Sequence, residues 1–229
     1  MKKGTTLRSN IEKTYGRGPT QYQQGWTEFY QLKFKVTPDV LIPRPETELL
    51  VDEVLKLKPN TILDLGTGSG CIAVSVAKNL PQSKVIATDI STPALEITRQ
   101  NAKFHHVENQ IVFLSADLLS FISPQSKAPD IIVANLPYIP SANLMLIDPL
   151  VADFEPKIAL DGGQDGFELY RKLFAQIRDN KFFPLVLMIE INDTHPEIAP
   201  LEAKNYFPQA KIKLKKDLNK TDRFLIIHF

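Results

Sequence analysis

The residues best suited to chemistry lie in the segment 134–140 (ANLPYIP), directly after the apolar run 131–133. That run predicts a buried strand, because it is short, β-branched and preceded by the turn signal Pro129-Asp130. A parallel α/β sheet binds ligands where its strands end, so we expect this segment to line a crevice. Its Asn amide, backbone carbonyls and Tyr ring are suited to holding a planar NH₂ group. The segment therefore predicts a site for a carboxamide or for the exocyclic amine of a nucleobase.

A second candidate site is the glycine-rich segment 64–70 (DLGTGSG), between a strand and a helix. Its alternating glycines permit unusual backbone dihedral angles and let a ligand approach closely. The spacing departs from the dinucleotide fingerprint G-x-G-x-x-G, and the sequence has no P-loop motif, so phosphate binding is disfavoured. Asp89 ends the next strand 19 residues after Gly70 (89 − 70), where a carboxylate can accept both hydroxyls of a ribose. These features predict an adenosine ligand without phosphates.

Strands and helices alternate from residue 61 onward, which is typical of an α/β domain with a mostly parallel sheet. Helices are predicted over 71–78, from the N-cap Thr92 onward, over 167–177 and over 196–204. These helices and the strands between them must position the two candidate sites. The predicted strands are 61–65, 84–89, 110–114, 130–134, 185–189, 210–214 and 223–229.

The part of the chain before residue 61 carries weaker signals. Residues 1–25 are polar with glycine and proline breakers, and they predict a frayed helix followed by a loop without a core. The run 29–36 alternates apolar and polar side chains and predicts one arm of a β-hairpin. A helix is predicted to open near Pro45. Its apolar stripe is predicted to consist of Leu50, Val54 and Leu57.

Length and composition fit one α/β domain with a substantial core. The 229 residues carry a net charge of +1, which gives no global attraction to nucleic acids or membranes. One cysteine, Cys71, excludes an internal disulfide framework, and we find neither a signal peptide nor an apolar run long enough to cross a bilayer. The pair His105-His106 lacks further ligands at metal-binding spacing, so we interpret it as a solvated helix end. We expect a cytoplasmic protein with an N-terminal segment, 1–36, and a main domain, 37–229.

Five segments are informative when taken together: 40–48 (VLIPRPETE), 64–70, the strand ending in Asp89, 135–138 (NLPY) and 154–166, which contains FEP, GG and DG. They resemble the protein N5-glutamine methyltransferases of the HemK/PrmC family, and the resemblance runs from about Gln21 to the C-terminus. The resemblance implies a class I S-adenosylmethionine-dependent methyltransferase: a Rossmann-like α/β fold with a seven-stranded, mostly parallel sheet and a small N-terminal helix and hairpin extension. It also implies methyl transfer from S-adenosylmethionine to the glutamine amide nitrogen in the Gly-Gly-Gln motif of peptide-chain release factors, with S-adenosylhomocysteine as product.

The same resemblance assigns roles to individual residues. Asn135, Pro137 and Tyr138 would form the catalytic loop. The side-chain oxygen of Asn135 and the backbone carbonyl of Leu136 would accept the two amide N–H groups, and Tyr138 would pack against the amide plane. Pro43 and Arg44 would complete the substrate contacts, and no metal is implied. The cofactor would contact Asp64 at its methionine end, Asp89 at the ribose, Asp117 and Leu118 at the adenine, and also Gly66, Thr67, Gly68, Gly70 and Asn135.

Two departures from the family pattern keep alternatives open. The family tetrapeptide is usually Asn-Pro-Pro-Tyr, and Leu136 occupies its second position here. Asn-Leu-Pro-Tyr also resembles the motif of the ribosomal RNA adenine dimethyltransferases, so adenine-N6 methylation of DNA or RNA is the alternative. The N-terminal region is shorter than the family's helical bundle, so a protein that binds the cofactor without turnover is a third hypothesis. We favour a release factor as partner of a monomeric enzyme, with no direct nucleic-acid or membrane contact.

Overall fold

The computed structural model describes residues 18–123 and 125–229 of the chain. The sequence-based prediction for residues 1–17 lies outside this part. The strands are β1 (Trp26–Phe29), β2 (Leu32–Lys35), β3 (Thr61–Leu65), β4 (Lys84–Asp89), β5 (Ile111–Ser115), β6 (Ile131–Ala134), β7 (Val186–Glu190), β8 (Lys211–Lys216) and β9 (Asp222–His228).

Helices connect most of these strands. The α-helices are α1 (Thr20–Gln24), α2 (Glu48–Leu57), α3 (Cys71–Asn79), α4 (Thr92–Phe104), α5 (Pro149–Ala152), α6 (Glu168–Asp179) and α7 (Ile198–Tyr206). Short 3₁₀ helices occupy Pro45–Thr47, Glu108–Gln110, Ser141–Asn143 and Lys157–Ala159.

The central sheet confirms the predicted α/β class. Within the described residues, seven strands pair in the order β5-β4-β3-β6-β7-β9-β8, and β1 and β2 form a separate hairpin. Strands β3 to β7 run parallel, and β9 lies antiparallel between β7 and β8. Successive strands extend the sheet in one direction from β3 to β5 and in the other from β6 onward, so the strand order reverses between the parallel neighbours β3 and β6, where Leu65 pairs with Ala134. Ligands of such sheets bind just beyond the carboxyl ends of the strands at this switch point. Here Gly66 follows β3 and Asn135 follows β6.

Two apolar layers cover the faces of the sheet. On one face α2, α3 and α4 pack against alternate strand residues, together with Phe29 and Phe34 of the hairpin. On the other face α6 and α7 pack against the remaining strand residues, and the α6 stripe Tyr170, Leu173 and Phe174 is fully buried. The period of these side chains, three and four residues along α6, explains why this helix was predicted correctly.

The hairpin differs from its prediction. The run 29–36 is not one strand, because Tyr30 and Gln31 form a two-residue turn with φ values of 50° and 58°. Positive φ at both central residues is the geometry of a type I′ hairpin turn, which asparagine and glycine usually signal. Helix α2 holds this turn: Glu48 Oε1 accepts from the Tyr30 N–H at 2.7 Å, and Asp52 Oδ1 accepts from the Tyr30 hydroxyl at 2.8 Å.

Other local predictions were wrong by small amounts. Residues 18–25 do contribute to the core, because Tyr22 is buried and donates to the Val40 carbonyl at 2.6 Å. The N-cap of α4 is Ser91 rather than Thr92, and its hydroxyl accepts from Ala94 N. His105 is buried, with Nε2 at 2.7 Å from the Lys33 carbonyl, so it is not a solvated helix end. The predicted stripe residue Leu57 is exposed at the last turn of α2.

Candidate active site

A cavity of about 540 Å³ lies at the carboxyl ends of β3, β4 and β6. Its walls come from the glycine segment, the loops after β4, β5 and β6, the segment 39–47 and the loop 157–163. This volume falls within the usual range for small-molecule sites, and its position is the one expected for a parallel sheet. The parallel pairing of β3 and β6 therefore brings the two sequence motifs, which are far apart along the chain, to one cavity.

The glycine segment forms the floor of the cavity on the β3 and β4 side. Gly70 is the N-cap of α3 at φ 80°, and a Cβ atom there would lie 2.6 Å from Thr98 Cγ2 of α4. Glycine is therefore required both for the left-handed backbone and for the close approach of α4. Asp89 Oδ2 accepts from Gly68 N at 2.9 Å, and Oδ1 accepts from Ser91 N at 2.8 Å. Each carboxylate oxygen has a second lone pair, so Asp89 can still accept from a ligand hydroxyl.

Asp64 lies beneath this floor rather than on its surface. Its side chain is buried, and Oδ2 accepts from the Thr67 hydroxyl at 2.7 Å and from Ala73 N at 3.2 Å. Within the described residues Oδ1 is buried without a hydrogen-bond partner. Burial raises the pKa of Asp64 to about 7, because a charged carboxylate is disfavoured away from water. Asp64 thus supports the glycine segment from below through Thr67.

Asn135 stands between the large cavity and a smaller pocket of about 90 Å³ beside Tyr138, and it lines both. Its Nδ2 donates to Thr47 Oγ1 at 3.1 Å, and Thr47 comes from the segment 40–48 that the sequence paired with this loop. Within residues 18–123 and 125–229, no group donates to Asn135 Oδ1 or to the Leu136 carbonyl. Two acceptors are therefore available at the boundary between the two spaces.

Leu136 provides an N–H group that proline could not provide at this position. This buried N–H donates to the Tyr170 hydroxyl at 3.1 Å, and that hydroxyl donates to the Glu190 carbonyl at 2.5 Å. The Leu136 side chain is also buried and would lie 2.9 Å from a Cβ atom at Gly66. The departure from the family tetrapeptide is thus accommodated by Tyr170 and by the absence of a side chain at Gly66.

We expect the substitutions Tyr170→Phe and Leu136→Pro to be energetically coupled. Tyr170→Phe alone leaves the Leu136 N–H buried without a partner, at a cost of about 1–3 kcal/mol in the free energy of unfolding. With Leu136→Pro that N–H is gone, so the same substitution should cost less by about this amount. Urea unfolding of the wild type, both single variants and the double variant measures the coupling. Costs that add within about 0.5 kcal/mol would contradict the assigned hydrogen bond.

Arg44 ties two segments together at the mouth of the cavity. Its Nη2 contacts Glu155 Oε1 at 2.6 Å, and the Glu155 side chain is 1% exposed while that of Arg44 is 32% exposed. Glu155 Oε2 also accepts from Ile42 N at 3.1 Å. The ion pair therefore joins the segment 40–48 to the residues that follow α5.

Arg44→Ala should lower the free energy of unfolding by about 3 kcal/mol, because it leaves the buried Glu155 carboxylate unpaired. A matched control is Lys216→Ala, whose side chain is 59% exposed and pairs with Asp222 at 3.2 Å. That exposed pair should contribute less than about 1 kcal/mol. Urea unfolding compares the two variants, and equal losses would show that burial of Glu155 does not determine the effect.

The loop after α5 packs directly on the backbone of the tetrapeptide 135–138. Ile139 and Asp161 form a parallel β-bridge, and the Gly162 N–H donates to the Ile139 carbonyl at 2.9 Å. A Cβ atom at Gly162 would lie 2.7 Å from Tyr138 Cα and 2.8 Å from the Pro137 carbonyl. The absence of a side chain at Gly162 therefore permits a contact between two backbones, which fixes the position of the tetrapeptide.

The structure brings together most, but not all, of the predicted site residues. The predicted cofactor contacts on the cavity wall are Gly66, Thr67, Gly68, Asp89, Asp117, Leu118 and Asn135. The predicted substrate contacts on this wall are Pro43, Arg44, Asn135, Leu136 and Pro137. Asp64 and Gly70 lie behind the wall, and Tyr138 faces the smaller pocket. The side chain of Asp117 pairs with Lys172.

Thr47, Tyr170 and Glu190 contact the tetrapeptide and were not singled out as site residues by the sequence. The sequence places Tyr170 only within the predicted helix 167–177, and Thr47 only within the resembling segment 40–48. Glu190 ends the buried strand β7 beside β6 and is 1% exposed. A carboxylate at the carboxyl end of a central strand is the one signal that could have identified it.

Comparisons with known proteins first define the class. Residues 48–149 match the family model of ribosomal protein L11 methyltransferase (PrmA). The N-terminal domain of human METTL16, solved in complex with SAH, has a TM-score of 0.61 at 13% identity, over 99% of this chain and 84% of that chain. Identity at this level shows the fold alone. The fold is that of the class I S-adenosylmethionine-dependent methyltransferases.

Relatives with higher identity define the family. A release factor glutamine methyltransferase of Thermodesulfovibrio yellowstonii is 35% identical, over 97% of this chain and 80% of the relative. Another, of Koribacter versatilis, is 45% identical over 69% of this chain, and the match spans only 57% of that relative's length. The chain belongs to the release factor glutamine methyltransferase family. In the part of the chain that the structure describes, no helix is long and apolar enough to span a membrane.

Proposed function

We propose that this protein transfers a methyl group from S-adenosylmethionine to the side-chain amide nitrogen of the glutamine in the Gly-Gly-Gln motif of peptide-chain release factors. The observation that carries the proposal is the position of Asn135, between a large and a small cavity, where its Oδ1 atom accepts from no group among the described residues. Membership of the family supports the choice of a release factor as substrate. A release factor as substrate also implies the cytoplasm, where translation takes place, as the site of action.

The large cavity fits the cofactor. Gly66 and Gly68 bring bare backbone to its wall, and Asp89 keeps free lone pairs for the ribose hydroxyls. Asp117 and Leu118 also line the cavity, where they would flank the adenine. When bound, S-adenosylmethionine supplies a methyl group on a positively charged sulfur, which is already activated for transfer.

The small pocket fits the glutamine side chain. It is lined by apolar side chains from Leu41, Ile139 and Leu160 and by the Tyr138 ring, and it opens onto Asn135. A carboxamide in this pocket would donate one N–H to Asn135 Oδ1 and the other to the Leu136 carbonyl. Both bonds lie in the amide plane, so they would present one face of the nitrogen to the large cavity. An amide nitrogen is a poor nucleophile, and positioning it with exclusion of water is the contribution that this chain makes.

The proposal is tested by supplying labelled S-adenosylmethionine with a full-length release factor, with adenine-containing DNA and with adenine-containing RNA in parallel reactions. Label on the release factor alone is the expected result. Label on nucleic acid alone would assign the protein to adenine methylation, the function suggested by the second interpretation of Asn-Leu-Pro-Tyr. Tight binding of the cofactor without transfer to any acceptor would make it a binding protein.

A further inference from the structure

We propose that Glu190, acting through Thr47, fixes the orientation of the Asn135 carboxamide and is a positioning residue for methyl transfer. The inference rests on the proposed function, in which Asn135 Oδ1 must accept from the substrate amide. It concerns the direction of each hydrogen bond from Asn135 through Thr47, which lines the large cavity, to Glu190.

The three side chains form a chain of hydrogen bonds that runs from the half-buried Asn135 to the buried Thr47 and Glu190. The Thr47 hydroxyl donates to Glu190 Oε2 at 2.7 Å, and Asn135 Nδ2 donates to Thr47 Oγ1 at 3.1 Å. Glu190 is 1% exposed and Thr47 is 2% exposed, so water cannot replace either partner. Thr47 holds the N-cap position of α2, but its side chain makes no capping hydrogen bond. Its hydroxyl therefore bonds to Glu190 and Asn135 and does not cap the helix.

The carboxylate determines the direction of every bond in the chain. An ionised carboxylate can only accept, so the Thr47 hydroxyl must donate its single proton to Glu190. Thr47 Oγ1 then offers only lone pairs to Asn135, which selects the Nδ2 end of the amide as donor. The Oδ1 end is thereby left for the substrate. With the amide reversed, Asn135 would present donors to an N–H group, and the substrate amide would be repelled.

Glu190 also anchors the other end of the tetrapeptide. Its Oε1 atom accepts from the Tyr138 hydroxyl at 3.0 Å, and its carbonyl accepts from the Tyr170 hydroxyl that supports the Leu136 N–H. Both carboxylate oxygens thus face neutral hydroxyls, which stabilise the ionised form. Burial raises the pKa of Glu190, and the hydrogen bonds from Thr47 and Tyr138 and the positive charge of Arg223 act against this rise. One residue at the end of β7 thereby orients the amide at Asn135 and the ring at Tyr138.

The first test compares Thr47→Val with Thr47→Ser. Valine keeps the shape of threonine but removes the hydroxyl, so the Asn135 amide loses its directing partner. We expect kcat to fall by about tenfold to a hundredfold, the effect of a misplaced reacting group, with the Kd for S-adenosylmethionine nearly unchanged. Thr47→Ser retains the hydroxyl and should retain kcat. Equal loss of kcat in both variants, or an equal loss of cofactor affinity, would overturn the proposal.

The second test is Glu190→Gln, which preserves size and burial but introduces a donor. A carboxamide cannot accept from both Thr47 and Tyr138 through its two ends, because one end is an NH₂ group. With that NH₂ group toward Thr47, the Thr47 hydroxyl would turn to Asn135 and reverse its amide. With the NH₂ group toward Tyr138, the Tyr138 hydroxyl would lose its acceptor and the ring its anchor. We expect a kcat loss similar to that of Thr47→Val, and wild-type kcat in Glu190→Gln would overturn the proposal.

A readout independent of activity separates this inference from the proposed function. The side-chain NH₂ signal of Asn135, assigned by NMR with Asn135→Asp, should exchange slowly with water in the wild type and in Thr47→Ser. It should exchange faster in Thr47→Val. No methylation of a release factor by the wild type would overturn the proposed function, and this exchange pattern would still decide the hydrogen-bond chain. Equally fast exchange in all three proteins would overturn the inference itself.

Discussion

Asn135→Ala is expected to lower kcat for methyl transfer by about a hundredfold or more, the loss that follows when a reacting nitrogen is no longer held in line. The Kd for S-adenosylmethionine should change little, because the variant keeps the backbone of the glycine segment and the carboxylate of Asp89 on the cavity wall. Alanine removes the Oδ1 acceptor and leaves the Leu136 carbonyl as the single partner of the substrate amide. Steady-state kinetics with a release factor and calorimetry with the cofactor measure the two quantities.

The control for this variant is Asn180→Ala, which removes an exposed amide after the last residue of α6, where Nδ2 donates to the Gln176 carbonyl at 2.9 Å. Its kcat and Kd should match those of the wild type. A loss in Asn135→Ala that falls equally on kcat and on cofactor affinity would contradict the role assigned to Asn135, since it would indicate a general disturbance of the cavity.

Gly166→Ala is expected to have the second largest effect, on both stability and activity. Gly166 adopts φ 79°, and a Cβ atom there would overlap the Tyr138 carbonyl oxygen. The left-handed backbone should cost about 1–2 kcal/mol. Relief of the overlap should cost about a further 1–3 kcal/mol, because backbone must move. Displacement of Tyr138 by about 1 Å would also lower kcat by about a hundredfold.

Gly25→Ala is the matched control for this prediction. Gly25 has the same φ of 79°, and a Cβ atom there would have no neighbouring atom within 4 Å. The Gly25→Ala variant should therefore lower the free energy of unfolding only by the cost of the left-handed backbone, and its kcat should be unchanged. Urea unfolding and methyl transfer of both variants give the comparison. Equal destabilisation would show that the contact with Tyr138 does not constrain residue 166.

The parts of the site that sequence predicts are those with a local pattern. The segments 64–70 and 135–138 each follow a buried strand, and strand ends of a parallel sheet meet at one edge. The sheet itself follows from alternation of apolar runs with helical periods, which is why the predicted strands over 61–65 and 84–89 match β3 and β4 residue for residue.

The remaining parts of the site depend on long-range pairing. Thr47 and Asn135 lie 88 residues apart, and Thr47 and Glu190 lie 143 residues apart, so no spacing rule connects them. Glu190 lies after four buried apolar residues, and the sequence alone indicates only the polar end of a strand. Its significance comes from the fold, which places β7 beside β6 and directs both carboxylate oxygens to hydroxyl groups. Three statements stay predictions: the division of the chain into an N-terminal segment, 1–36, and a main domain, 37–229; the monomeric state; and the absence of nucleic-acid contacts.

The most direct measurement is the location of the transferred methyl group. A release factor methylated by the wild-type protein with labelled S-adenosylmethionine is digested, and the modified residue is identified by mass spectrometry, with Asn135→Ala in a parallel reaction. We predict the methyl group on the glutamine side-chain nitrogen of the Gly-Gly-Gln motif, and its loss in the variant. A methyl group on any other residue, or the same yield on that glutamine with Asn135→Ala, would contradict a site built around Asn135.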